Sequence, residues 1–158
     1  MLMKDHDHVL RVPHNAEEWR AYHAIRRKVL FENRGEAGVY IENHPDEFSH
    51  GHHPLVLIYN GAPIGVIRID ISGHAAWFRK VAVCETFQRS GHGRTLLRLA
   101  EALARKEGCH EVRSNVAVDA VGFYERCGYS HDLSTAGESG SVLMQKLLGP
   151  LSQSGENQ

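Results

Sequence analysis

The residues best suited to chemistry lie in one stretch, Gln88-Arg89-Ser90-Gly91-His92-Gly93-Arg94-Thr95, between two apolar segments. Before it, Val81-Ala82-Val83 reads as a buried strand. After it, Leu96, Leu97, Leu99, Ala100, Leu103 and Ala104 recur at helical spacing. A strand, a glycine-bearing turn and a helix start gather backbone N–H groups at the positive end of a helix dipole. That arrangement favours an anionic group such as a pyrophosphate. Gly91 and Gly93 let the backbone approach the anion with no Cβ in the way, and Arg89 and Arg94 can add charge-assisted hydrogen bonds to phosphate oxygens. A glycine pair before a helix is equally what an ordinary turn looks like. Neither common nucleotide pattern fits: G-x-x-x-x-G-K-[ST] is missing, and G-x-G-x-x-G would need a third glycine where Leu96 stands.

Further along, Ala120-x-x-Phe123-Tyr124-Glu125-x-x-Gly128-Tyr129 forms a second patterned segment. The spacing Gln88-x-x-Gly91-x-Gly93 resembles the acetyl-CoA signature of the GNAT-type N-acetyltransferases. The second segment resembles that family's A-x-x-F-Y-x-x-x-G-F/Y run, in the same order and at the same separation. Val81-Ala82-Val83 is similar to its cofactor-facing strand. The resemblance covers residues 54–147 closely and the N-terminal third loosely.

The resemblance implies an α+β fold, a GNAT-like acyl-CoA N-acyltransferase domain over residues 1–149. Its mixed, mostly antiparallel sheet would have six to seven strands flanked by helices. It implies acetyl-CoA as co-substrate and a primary amine, small molecule or peptide, as acceptor, with direct attack through a tetrahedral intermediate. Val81, Ala82, Val83, Gln88, Arg89, Ser90, Gly91, His92, Gly93, Arg94 and Thr95 would hold the cofactor. The Val83 N–H would face the oxyanion, and Tyr124 would protonate the leaving thiolate. The alternative for Tyr124 is a core tyrosine beside Phe123. An alternative for the whole chain is a catalytically idle acyl-CoA-binding or regulatory module; only the enzyme would release free CoA with an amine acceptor. One departure stands out: the family often has Asn or Gln seven residues before the tyrosine, and here that position is Ala117.

Taking the chain from its start, His8 to Val12 reads as an edge strand. Asn15 is a helix N-cap with Glu18 three residues later. That helix sets Trp19, Tyr22, Ile25, Val29 and Leu30 on one side and stops at Asn33-Arg34-Gly35. Arg26, Arg27 and Lys28 read as its solvated face; a loose likeness to the family's R-x-x-V-F segment would instead put them beside the acceptor. Residues 36–53 show no period. Pro54 to Asn60 reads as a strand, Asn60-Gly61 as a hairpin turn, Ile64 to Ile71 as an alternating strand with Arg68 and Asp70 on its polar side, and Ala75 to Val83 as the third strand of the meander. Residues 93–107 form the helix after the glycine turn, with Gly108 as its C-cap. Glu111 to Val116 follows by a parallel crossover, then a helix over 118–126 and a last strand, Ser141 to Leu147. Residues 150–158 read as a disordered polar tail.

An acceptor amine must lose a proton before it attacks, and Glu42, Glu47, Asp70, His74 and Glu85 are the candidate bases. Cys84 follows the cofactor strand and raises an acyl-cysteine route, although a small packing role suits it better. His50, His52 and His53 form an imidazole-rich run without recognised ligand spacing, so no metal is expected. The 158 residues suit one domain. Apolar residues at 42%, charged residues at 23% and a net charge of −1 describe an ordinary soluble protein, with no reason to expect nucleic acid or a membrane as partner. A homodimer counts among the expected partners. Three cysteines without a C-x-x-C pair imply neither a disulfide framework nor zinc, and a reducing cytoplasm is the simplest compartment.

Overall fold

In the computed structural model, which describes residues 1–132 and 140–150, the apolar runs become one eight-stranded sheet. Its strands are β1 (Leu2–Lys4), β2 (His8–Arg11), β3 (His52–Tyr59), β4 (Ala62–Ser72), β5 (Ala75–Val83), β6 (Glu111–Ala117), β7 (Ser130–His131) and β8 (Ser141–Leu147). The spatial order is β1-β2-β3-β4-β5-β6-β8-β7. Every neighbouring pair is antiparallel except β5 with β6, the parallel crossover. The α+β architecture and mixed sheet are as expected, with one or two strands more. The strands missed from the sequence, β1 and β7, have three and two residues. Segments that short carry no readable period. Of the tail expected over 150–158, residues 151–158 lie outside the described residues.

Helix α1 (Ala16–Ile25) starts as its sequence suggests. The Asn15 side chain accepts the Glu18 N–H at 2.9 Å, and the Glu18 carboxylate accepts the His14 N–H at 2.7 Å. Arg11 donates from both terminal nitrogens to Glu18, tying α1 to β2. That pairing, helped by the His14 N–H against the opposing effect of burial, holds the Glu18 carboxyl down at about 2. Past Ile25 the helix widens into a π-helical segment, Arg26–Phe31, and ends at Gly35, whose φ of +78° is the left-handed stop.

Helix α2 (His92–Lys106) buries Leu96, Leu97, Leu99, Ala100, Leu103 and Ala104, the apolar stripe seen in the sequence. These join Leu55, Leu57, Ile67, Ile69 and Phe78 in the main core. Gly108 closes the helix at φ +87°: its N–H bonds the Arg105 carbonyl and that of Cys109 the Ala104 carbonyl, a Schellman pair. Helix α3 (Val121–Arg126) is shorter than the 118–126 span expected, because Val118–Ala120 is a 3-10 turn. A smaller core cluster sets Tyr22 and Ile25 of α1 against Val66 and Ala82.

Strand β4 departs from its expected alternation. Every residue from Ile64 to Asp70 is buried, Arg68 and Asp70 included. Both faces of this central strand are covered, so its polar residues must find partners inside. Among the described residues no helix is long and apolar enough to cross a membrane.

Candidate active site

Strands β5 and β6 pair only through Ala75↔Glu111, Ala76↔Val112 and Trp77↔Arg113. Beyond that point the ladder opens. Two features open it. The β4–β5 register slips between Val66 and Arg68 while Lys80 takes φ +55°, marking a bulge that bends β5. Ser114 then donates its hydroxyl to the Phe78 carbonyl at 2.8 Å, replacing a ladder bond by a side chain. Cys84 gives its N–H to the Ile64 carbonyl at 2.7 Å. Strand alternation therefore turns the N–H and C=O groups of Val83, and of Val81 two residues earlier, toward the open side. A strand edge of this kind can pair with amides of an extended ligand.

The opening leads directly to the start of α2. Arg89 at φ +62° and Gly91 at φ +87° turn the chain, and the first-turn N–H groups of His92, Gly93 and Arg94 have no preceding helical carbonyl to bond. Nothing lies within 4 Å of where a Gly91 Cβ would stand, so its role is conformational. Gly93 is different: a Cβ there would meet Phe123 Cζ at 3.1 Å, so its absence allows α3 to approach α2. Arg89, Ser90 and Arg94 are exposed beside these amides. Gln88 donates to the Val83 carbonyl at 2.8 Å, bracing the turn against β5. The turn expected from the sequence is thus assembled as an open cradle of N–H groups with cations around it. His92 is the exception among its side chains. It points inward, with Nδ1 2.9 Å from His8 Nε2 and its ring against Tyr59 and Phe87. Burial, then the His8 charge, lowers its pKa. Only its backbone faces the cradle.

On the other side of the split lies a cleft of about 860 Å³. Val81, Ser114, Asn115, Ala117 and Tyr124 line one end; the π-helical segment, residues 36–47 and the β4–β5 strands line the other. Tyr124 is buried to 6% exposure and packs edge-on against Phe123 and Tyr129. It is therefore both a core residue and a cleft residue. Burial pushes its phenol well above the usual tyrosine value, with Ser114 pulling weakly the other way. It stays protonated at neutral pH.

Charge pairs build the far end, and sequence reasoning missed them. Arg26, expected on a solvated face, is 3% exposed. Its Nη1 donates to Glu47 Oε2 at 2.6 Å, its guanidinium sits 4.1 Å above the Tyr22 ring, and Tyr22 donates to the other Glu47 oxygen. Burial would raise the Glu47 carboxyl, but Arg26 and Tyr22 outweigh it and leave it lowered. The signal was available: Arg26 lies four residues after Tyr22, on the same helix face. Arg27 and Lys28 do face outward, toward Glu42 and Glu85. Arg68 grips Asp70 with Nε and Nη2 at 2.7 and 2.8 Å, and Arg79 and His52 each stand 3.4 Å from the same carboxylate.

Of the five candidate bases, Glu47 and Asp70 line the cleft, both held in ion pairs; Glu42, His74 and Glu85 do not line it. Cys84 lies outside the cleft lining too, its sulfur 3.7 Å from Thr86 Oγ1. Among the described residues no three His, Cys, Asp or Glu converge as metal ligands. His52 instead bonds the Asp46 carbonyl.

The profile of the Acetyltransferase (GNAT) family matches residues 16–129. A Bacillus subtilis protein described as a putative acetyltransferase is 29% identical over 108 residues, covering 66% of this chain and 71% of the relative. Among solved structures, a protein from Lactobacillus plantarum described as a putative N-acetyltransferase superposes with a TM-score of 0.74 at 26% identity, over 94% of this chain and 100% of that one. The spermidine N-acetyltransferase of Vibrio cholerae, solved with CoA and spermine, gives a TM-score of 0.70 over 90% of this chain and 96% of that one. At 17% identity, that likeness shows the fold alone.

Proposed function

We propose, for a chain that belongs to the acetyltransferase (GNAT) family, that it transfers the acetyl group of acetyl-CoA to a primary amine. The observation that carries this reading is the parted β5–β6 edge opening onto the N-terminus of α2, with Tyr124 in the cleft behind it. The first-turn amides of α2 with Arg89 and Arg94 suit a pyrophosphate, and the Val81 and Val83 edges suit the amides of a pantetheine arm. The CoA bound to the Vibrio relative supports the same choice of ligand. Asn115 lines the cleft two residues before Ala117, so a polar side chain stands near the place the family pattern leaves unfilled.

In this reading the amine attacks the thioester carbonyl, forming the C–N bond and a tetrahedral oxyanion. The Val83 N–H points toward the open edge where that charge would develop. Collapse breaks the C–S bond, and the Tyr124 hydroxyl donates a hydrogen bond to the departing thiolate as charge builds on sulfur. Asp46, Glu47 and Asp70 are each held in an ion pair rather than free to act as a base, and the fourth cleft carboxylate, Glu36, is exposed to solvent. The Arg26, Arg68, Arg79 and Lys80 charges ease loss of the ammonium proton to solvent water, because like charges nearby lower its pKa. The second proton, shed by nitrogen after attack, equals the one the thiolate gains and passes to it through water. The test is a panel of amines with acetyl-CoA, read by free-thiol release. Acetyl-CoA binding with no thiol release from any amine would favour an idle acyl-CoA-binding module instead.

A further inference from the structure

Two arginines in the cleft present the same fork to very different surroundings. Arg68 holds both Asp70 oxygens with Nε and Nη2, the side-on geometry that matches a carboxylate. Arg26 uses only Nη1, on Glu47. Its own Nε and Nη2 are buried without a well-formed hydrogen bond, and the Tyr40 hydroxyl is the neutral group that interacts with this guanidinium. Buried donors are nearly always paired, because leaving them unpaired sacrifices their hydration for nothing. The side chain cannot swing away to find water: Glu47 and the Tyr22 ring hold it. Nor can nearby acids turn to it, since Asp46 and Asp70 are engaged with Arg68.

We infer that Arg26 receives a carboxylate of the acceptor, so that the substrate is an amine that also carries a carboxylate. The amine half of this statement rests on the acetyltransferase reading; the carboxylate half does not. The charge balance agrees, since five Lys and Arg side chains line the cleft against four Asp and Glu. A singly charged carboxylate fits better than a phosphate dianion, because Glu47 stands on the same guanidinium and repels a second full charge more strongly. The π-helical segment, a local geometry that recurs at functional sites, contributes Leu30 and Phe31 to the wall beside the fork. Val39 and Ile41 line the cleft while 58% and 61% exposed, giving it an apolar rim. Tyr40 between them is half-buried, and its hydroxyl engages both Arg26 and His23 Nδ1; a carboxylate that takes the fork would displace that hydroxyl from Arg26. The substrate class is therefore an amino acid with an apolar body. Polyamines, which bring only positive charge, fit this cleft poorly.

Matched pairs differing only in the carboxylate test this directly: L-phenylalanine with phenethylamine, L-leucine with 3-methylbutylamine, and 6-aminohexanoate with its decarboxylated analogue for a longer spacing. Calorimetric titration of wild type, without acetyl-CoA, should show the carboxylate member of at least one pair binding about 10–100-fold tighter, the worth of a charge-assisted hydrogen-bonded contact. Arg26→Lys keeps a positive charge beside Glu47 but loses the fork. It should abolish that preference while leaving acetyl-CoA affinity unchanged. Equal binding within every pair, no binding by any carboxylate, or a preference that survives in Arg26→Lys would each overturn the inference. Should Arg26→Lys fail to fold, the wild-type pairs still decide. Binding is read apart from turnover, so absent thiol release would count against the transferase reading and leave this one standing.

Discussion

Replacing Tyr124 by Phe removes one oxygen and keeps the ring in its edge-on contacts with Phe123 and Tyr129, at centroid distances of 5.6 and 5.3 Å. Stability should change by about 1 kcal/mol or less, the net worth of one hydrogen-bonding group. The effect on rate follows from the pKa. Burial raises the phenol above its ordinary value of 10.0, whereas a free thiol sits near ~8.5. Full proton transfer to a solvated thiolate would thus run uphill by at least ~2 kcal/mol, at about 1.4 kcal/mol per pKa unit. What the hydroxyl can give as the C–S bond breaks is a charge-assisted hydrogen bond, worth roughly 1.5–3 kcal/mol in a dry site.

That converts to a fall in kcat of about 10–150-fold, toward the low end of what general acids contribute. The KM for acetyl-CoA should hold, because the bond forms only as charge builds on sulfur. The raised pKa adds a second expectation: the phenol stays protonated across roughly pH 6–9, so the deficit should be flat over that range. Steady-state kinetics of both proteins with any acceptor that turns over makes the measurement. A Phe variant within about a factor of two of wild type, or a deficit that changes steeply with pH in that window, would remove Tyr124 from the chemistry and leave it as core packing.

Gly91→Glu should cost acetyl-CoA at least about tenfold in affinity while the fold survives, because the site has space for a side chain but a φ of +87° and an anionic neighbour to accommodate; calorimetry decides. Glu47→Gln leaves Arg26 buried with its charge no longer matched, and should lower stability by about 3–5 kcal/mol, seen as a drop in Tm. For Glu18, Arg11 holds the folded carboxyl at about 2 against an ordinary 4.5. A depressed folded pKa gives stability that is present above 4.5 and disappears as pH falls toward 2, at most about 3 kcal/mol. Glu18→Gln should therefore be less stable than wild type near neutrality, with the gap closing in acid. A gap that stays constant down to pH ~2 would rule the pair out as a source of acid sensitivity.

The half of the cleft that faces acetyl-CoA in this reading was legible because backbone features build it. Glycines at 91, 93 and 108, the apolar stripe of α2 and the run into β5 each follow from a single local segment, and local segments leave periods and turn residues in a sequence. The limits of that legibility are physical too. The bulge at Lys80 arises from a register slip against Val66–Arg68, and a lysine in left-handed backbone has no sequence signature. His92 sits in the middle of the glycine turn, yet its ring is drawn inward by His8, 84 residues away. Composition at a turn says which backbone can reach a ligand, not which way each side chain will face.

The half assigned to the acceptor in this reading was illegible for a stronger reason. Arg26 and Glu47 are 21 residues apart, Arg68 and Asp46 are 22, and burial of each depends on its partner. A buried arginine in isolation is prohibitive, so a reading residue by residue correctly sends Arg26 to solvent and is wrong only because Glu47 arrives from elsewhere. On β4 the same logic made Arg68 and Asp70 look like a polar face, whereas two residues apart on one strand they neutralise each other under cover. It follows that likeness in the glycine turn and the Tyr124 segment says little about the acceptor. A relative can keep the local features that build the split sheet and exchange every long-range pair lining the far end of the cleft. Acceptor choice in this chain should therefore move with Arg26, Glu47 and Tyr40, and stay put when residues 88–95 are altered, even where those changes weaken acetyl-CoA binding.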